Sequence, residues 1–110
     1  MSSSATIEIL AEPSRRQILD ELRSGERPVN SLVASLQVSQ PAVSKHLRVL
    51  RDAGLVTVRV DGQRRLYRLR PEPLMELDQW LEPYRQMWER SLDKLEAHLG
   101  KAQESGKRQS

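Results

Sequence analysis

Apolar positions follow a helical rhythm along most of the chain. Ile7, Ile9 and Leu10 suggest a short first helix. Pro13 opens a second, at an early position where the missing N–H would have had no partner. Ile18, Leu19 and Leu22 form its apolar face, while Arg15, Arg16, Asp20, Glu21 and Arg23 stay polar. Gly25 stands just past its end, where a C-cap glycine belongs. Pro28 breaks the chain again. Asn30 reads as the N-cap of a short third helix carrying Leu32, Val33 and Leu36, and Gln37 and Val38 then make a tight turn.

The fourth helix carries the clearest local signals, and they predict a span from about Gln40 to Ala53. Ser39 is its N-cap, and Pro41 falls in the first turn, where it is tolerated. Val38 and Val43 are placed to form a hydrophobic staple. Gly54 fits the left-handed position after the helix, with Leu55 set to touch Leu50, as in a Schellman cap. A β-hairpin should follow. Val56, Val58 and Val60 alternate with Thr57, Arg59 and Asp61, and Asp61-Gly62 suits a type I′ turn. The second strand, Arg65–Arg70, has Leu66, Tyr67 and Leu69 as apolar members and ends at Pro71 and Pro73.

A long amphipathic helix from about Leu74 to Leu99 closes the pattern. Leu77, Leu81, Tyr84, Trp88, Leu92, Leu95 and Leu99 recur at spacings of three and four. Pro83 predicts a kink or short break near Glu82. Residues 101–110 read as a flexible, frayed tail. The order is thus α-α-α-α-β-β-α: mainly helical with a small β-hairpin, the plan of a winged helix-turn-helix. It forms one domain, with residues 13–70 as its core and 74–99 as its last helix.

Composition narrows the chemistry. The chain has 110 residues, no cysteine and two histidines. Disulfides, thiolate metal sites and cysteine nucleophiles are excluded. No glycine-rich phosphate loop and no histidine paired with an acid or nucleophile at motif spacing is present, so an enzyme is not expected. With a mean hydropathy of −0.63 and no long apolar run or signal sequence, the expected setting is the cytoplasm, with no membrane partner. The net charge is only +3, but its distribution is uneven. Residues 39–70 carry eight Lys/Arg against two acids, while the segments on either side are net acidic. A cluster of this kind suits a polyanion, although charge alone would fit a solvated face equally well.

Projection of the fourth helix separates two faces. Val43, Leu47 and Leu50 must face a core; Pro41, Lys45 and Arg48 lie opposite, flanked by Ala42 and Ser44, with Arg51 nearer the core edge. A major groove about 12 Å wide admits such a helix. Small residues let it sit deep, Lys45 can reach a guanine edge or a phosphate, Ser44 can bond to several bases, and Ser39 with the helix N-terminus suits a phosphate. In the hairpin, Arg59, Arg64, Arg65, Arg68 and Arg70 crowd two short strands. Arg64 and Arg65 can reach the DNA backbone or a narrow minor groove. Charge that protects a strand edge from aggregation explains two or three arginines more easily than five.

Four stretches resemble the ArsR family of bacterial winged-helix repressors. Glu12–Leu19 resembles its early helix, Val38–Leu50 its recognition helix, Ala53–Val56 its helix-to-wing junction and Asp61–Leu69 its wing. The resemblance spans residues 7–99. It implies a homodimer on a palindromic operator in double-stranded DNA, paired through its first and last helices, with repression the expected outcome. It marks Ser39, Gln40, Pro41, Ala42, Ser44, Lys45, Arg48, Arg64 and Arg65 as DNA-side residues, and His46 as a DNA-side or core-edge residue. Leu77, Leu81, Tyr84, Trp88, Leu92 and Leu95 become the dimer stripe. A helix of about 39 Å outruns a compact DNA-binding unit, which favours pairing over self-coverage.

The chain departs from the family's metal-sensing patterns. Val29–Leu36 has no cysteine, and neither His46 nor His98 has a second ligand at helical spacing. No cofactor and no zinc, arsenic or thiol-redox sensing is therefore expected. Trp80, Tyr84 and Trp88 leave room for an unidentified small apolar effector between subunits, though ordinary packing explains aromatics at i, i+4 and i+8 more simply. Gln37 is a further departure, since the family usually has glycine in this turn. The competing reading is a winged-helix protein-interaction module whose last helix docks a partner without specific DNA binding.

Overall fold

A computed structural model describes residues 3–109, with side chains for residues 4–100. The elements are α1 (Ser3–Leu10), α2 (Pro13–Leu22), β1 (Arg27–Pro28), α3 (Val29–Leu36), α4 (Gln40–Asp52), β2 (Val56–Asp61), β3 (Arg64–Leu69) and α5 (Glu72–Gln109). Residues up to Leu77 form one compact unit, and the part of α5 from Asp78 forms a second.

The first unit is built on the residues that the periodicity selects. Ile18 and Leu22 of α2, Leu32 of α3, and Val43, Leu47 and Leu50 of α4 are buried together with Leu55 and Val56. Burial of each large aliphatic side chain contributes about 1.5–3 kcal/mol. Two arginines close the C-terminal end of α1. Arg16 Nη1 donates to the Leu10 and Ala11 carbonyls at 2.7 and 3.3 Å, and Arg15 Nη1 donates to the Ile9 carbonyl at 3.4 Å. These carbonyls would otherwise lack partners, and the cations oppose the negative end of the helix dipole. Thr6 of α1 is buried, and its Oγ1 has no hydrogen-bond partner among the described residues.

Four local expectations change. The hairpin gains a third strand: the sheet has the order β1-β3-β2, with Arg27 opposite Tyr67 and Pro28 opposite Leu66. Pro28 thus sits in an edge strand, where its missing donor costs no ladder bond. Asn30 is not an N-cap. α3 already begins at Val29, and Pro28 in the cap position offers no side-chain acceptor. The hairpin turn is also shifted. Asp61 pairs with Arg64, so Gly62-Gln63 form the two-residue loop. Gly62 has φ +64°, and Gln37 is the only described non-glycine residue with positive φ. That is the pattern of a type II′ turn, with glycine at the first central position, not type I′.

The fourth change concerns α5, which is assigned without a break from Glu72 to Gln109 although Pro83 lies inside it. Proline removes one backbone donor at this point. The side chain of Arg85 bridges Asp78 and Glu82, tying together the turns that flank the proline. Hydrogen bonds from Arg85 hold the Glu82 carboxyl below the usual carboxylate range. The assigned helix also takes in residues 101–109, where composition predicts a frayed tail; Ser110 lies outside the described residues.

The turn between α3 and α4 keeps left-handed geometry without glycine. Gln37 has φ 55° and ψ 39°, and its N–H donates to the Val33 carbonyl at 3.0 Å. A side chain in this region costs about 1–2 kcal/mol, partly offset because glycine loses more chain entropy on folding. Gln37→Gly is therefore expected to stabilise the protein by about 0.5 kcal/mol, or roughly 2–4 °C in thermal midpoint. Thermal and urea unfolding check this; a lowered midpoint would contradict it.

Candidate nucleic-acid interface

The caps of α4 fix its position in the first unit. Ser39 Oγ accepts from the Ala42 N–H at 3.3 Å, and Val38 packs against the core to which Val43 belongs. At the other end, the Leu55 N–H donates to the Leu50 carbonyl and the Gly54 N–H to the Arg51 carbonyl, both at 2.9 Å. With Gly54 at φ +76°, this is a complete Schellman motif. The helix start, its end and the entry into β2 are thereby set by local bonds, while Val43, Leu47 and Leu50 anchor one face.

The remaining faces are left to solvent. Ser39, Gln40, Pro41, Ser44, Lys45, Arg48 and Arg51 are exposed, and Ala42 is half-buried. Gln40, Ser44, Arg48 and Arg51 line a cleft of about 260 Å³ between α4 and β3. Arg65 closes it from the strand, Leu47 and Tyr67 lie beneath, and Val29 borders it at the start of α3. Lys45 and Pro41 do not line this cleft.

His46 is placed differently from its exposed neighbours. It is half-buried at the core edge of α4, and its Nδ1 accepts from Arg15 Nε at 3.4 Å. The structure therefore ties it to α2, apart from the exposed face.

The wing arginines are not equivalent. Arg59 reaches across the outer face of β3 and grips Glu26 with two hydrogen bonds of 2.8 Å, over the buried Leu66. These bonds hold the Glu26 carboxyl below the usual carboxylate range and push the Arg59 guanidinium up. Arg64 pairs with Asp61 at 3.4 Å and Arg70 with Glu72 at 3.6 Å. No ion pair engages Arg48, Arg51, Arg65 or Arg68 among the described residues. Of the five arginines that composition places on the hairpin, two are therefore without an acidic partner.

In α5 the apolar stripe is uncovered. Trp80, Tyr84, Met87, Trp88, Leu92, Leu95 and Leu99 are 44–60% exposed, whereas Leu77 and Leu81 are half-buried. The Trp80 and Tyr84 rings lie 5.1 Å apart, tilted by 45°, one turn from each other on the same face. Among the described residues, no helix is long and apolar enough to cross a membrane, and no three His, Cys, Asp or Glu side chains are grouped to hold a metal ion.

Arg51, which helical projection sets nearer the core edge and apart from the DNA-side face, also lines the cleft. Its signal was present, since Gln40, Ser44 and Arg51 fall four and seven residues apart on one stripe of α4. Only the placement of β3 turns that stripe into one wall of a cleft.

Comparison with known proteins agrees with this architecture. Residues 12–58 match the model of bacterial regulatory proteins of the arsR family. The chain is 43% identical over 83 residues to the HTH-type transcriptional regulator Rv2034 of Mycobacterium tuberculosis, covering 76% of this chain and 75% of that protein. It is 39% identical over 79 residues to the arsenical resistance operon repressor of Staphylococcus xylosus, covering 72% and 76% respectively. Among solved structures, an ArsR-like transcriptional regulator from Rhodococcus sp. RHA1 superposes with a TM-score of 0.68 at 29% identity, over 86% of this chain and 90% of that one. A capped helix beside a basic three-stranded wing, together with these likenesses, places the chain in the ArsR family of winged-helix transcriptional regulators.

Proposed function

We propose that the protein is a homodimeric repressor that binds a palindromic operator, with α4 in the major groove and the wing on the flanking backbone or minor groove. The observation that carries this reading is the uncompensated basic surface. Lys45 and Arg48 are exposed on a helix whose opposite face is locked in the core, and Arg65 of β3 stands across the cleft from Arg48. Ser39, Gln40, Pro41, Ala42 and Ser44 would lie against the groove, and Arg64 at the wing tip against the backbone. His46 would support α4 through Arg15 instead of touching DNA.

The α5 stripe is the proposed pairing surface. Its positions 77, 81, 84, 88, 92, 95 and 99 repeat every eleven residues. That period, about 3.67 residues per turn, favours straight or weakly right-handed packing over a left-handed coiled coil. Two recognition helices would then lie about 34–36 Å apart, one turn of DNA. The chain has no cysteine, so release through thiolate-bound metals or metalloids is closed to it. We infer no catalytic role and a cytoplasmic site of action.

Selection of bound genomic fragments by the purified protein tests this function. An inverted repeat should emerge, bound with an affinity that falls by about 0.9 log units per neutralised phosphate per log unit of salt. Salt-insensitive binding to a protein, with no enriched DNA, would instead favour an interaction module.

A further inference from the structure

We propose that the cleft between α4 and β3 seats one phosphate of the DNA backbone, held by Arg48 and Arg51 from the helix and by Arg65 from the wing. This rests on the DNA-binding reading above and adds Arg51 to it as a binding residue.

Three features of the cleft support the assignment. It is lined by three arginines and no acid. The arginines of the hairpin that lie outside it are differently placed: Arg59, Arg64 and Arg70 each have a carboxylate partner, and Arg68 lies on the outer sheet face near Glu26. Arg48, Arg51 and Arg65 have no such partner among the described residues, so their charge is directed at the cleft uncancelled. Gln40 and Ser44 add neutral polar groups to the same wall.

The third feature is positional. A strand of phosphates separates the major groove from the minor groove. A protein with a helix in one and a wing at the other must straddle that strand. The gap between α4 and β3 is where the strand passes, and its cations come from both sides. Guanidinium groups suit this task because they donate in a planar fork that matches phosphate oxygens. Arg51 also stands in the last turn of α4, where a cation stabilises the helix dipole. That role would change thermal stability but not the number of phosphates neutralised.

The test compares the full-length wild type with Arg51→Ala, Arg51→Lys and Arg68→Ala. Each is titrated over a range of salt concentrations on an operator fragment and on an unrelated duplex of equal length. Arg51→Ala is expected to lower affinity about tenfold on both duplexes and to reduce the salt slope by about 0.9. Arg51→Lys should restore the slope, and Arg68→Ala should leave it unchanged. An unchanged slope for Arg51→Ala, a loss confined to the operator, or an equal drop for Arg68→Ala would each overturn the proposal. A wild-type protein that binds neither duplex would overturn the DNA reading itself, and the clamp with it. Inorganic phosphate, titrated at constant ionic strength and followed by thermal shift, separates the two sources of phosphate. Little stabilisation is expected. Saturable stabilisation that Arg51→Ala abolishes would assign the cleft to a free anion and overturn the backbone clamp.

Discussion

Replacing both Leu92 and Leu95 with glutamate is expected to convert the protein from dimer to monomer and to lower operator affinity more than a hundredfold. Both side chains are about half exposed in the single chain, at 56% and 52%. Pairing would cover what remains. Full burial of a leucine contributes about 1.5–3 kcal/mol, so covering the second half of four leucines across a two-fold interface contributes on the order of 3–6 kcal/mol. Each 1.4 kcal/mol is about tenfold in dissociation, which gives a weakening of about a hundredfold or more before the repulsion of four carboxylates is added. A monomer reads one half-site only. Sedimentation of the variant measures its mass, and circular dichroism checks that α5 remains helical. A dimer that persists with wild-type affinity would exclude this face as the interface.

The second large effect is expected at the recognition helix. Lys45→Ala should weaken operator binding about ten- to a hundredfold, the usual range for a lost base contact of roughly 1–3 kcal/mol, and Arg48→Ala about tenfold through a lost phosphate contact. Both side chains are exposed, so the substitutions remove charge without opening a cavity. The two should differ in kind. Lys45, which does not line the cleft, is expected to lose discrimination between operator and unrelated DNA. Arg48, which lines the cleft, should also lose part of the salt slope. Binding titrations on both duplexes measure this. Unchanged operator affinity for both variants would refute the docking of α4 in the groove.

Much of the fold was legible because local chemistry and global packing agree. Ser39 at one end of α4 and Gly54 with Leu55 at the other specify its limits by short-range bonds, and the structure forms both, while Val38 packs against the core. The buried set Ile18, Leu22, Leu32, Val43, Leu47 and Leu50 follows from helical spacing alone. Where the expectations differ, a tertiary partner or a competing local preference decides. Arg27–Pro28 has no strand signal of its own and becomes one only because β3 is present to pair with it. Asp61-Gly62 suits a type I′ turn, yet the register of β2 and β3 moves glycine to the first central position. Pro83 argues for a kink or a short break; the helix does not break there, and the side-chain bridges of Arg85 span the site.

The candidate interface divides in the same way. The sequence by itself determined the class of the protein: a capped helix followed by an arginine-rich hairpin, with all of the basic excess in residues 39–70 and no cysteine for thiolate sensing. Those properties depend on residue type and on spacings of three or four, which a linear chain displays. Tertiary structure alone decided which cations remain available. Arg59 is bound to Glu26, thirty-three residues away, His46 is turned toward Arg15, and Arg48, Arg51 and Arg65 are brought to one cleft from two elements. Whether a charge is cancelled depends on which carboxylate stands within a few ångströms of it, and that distance exists only once α4 and the sheet have packed on their shared core.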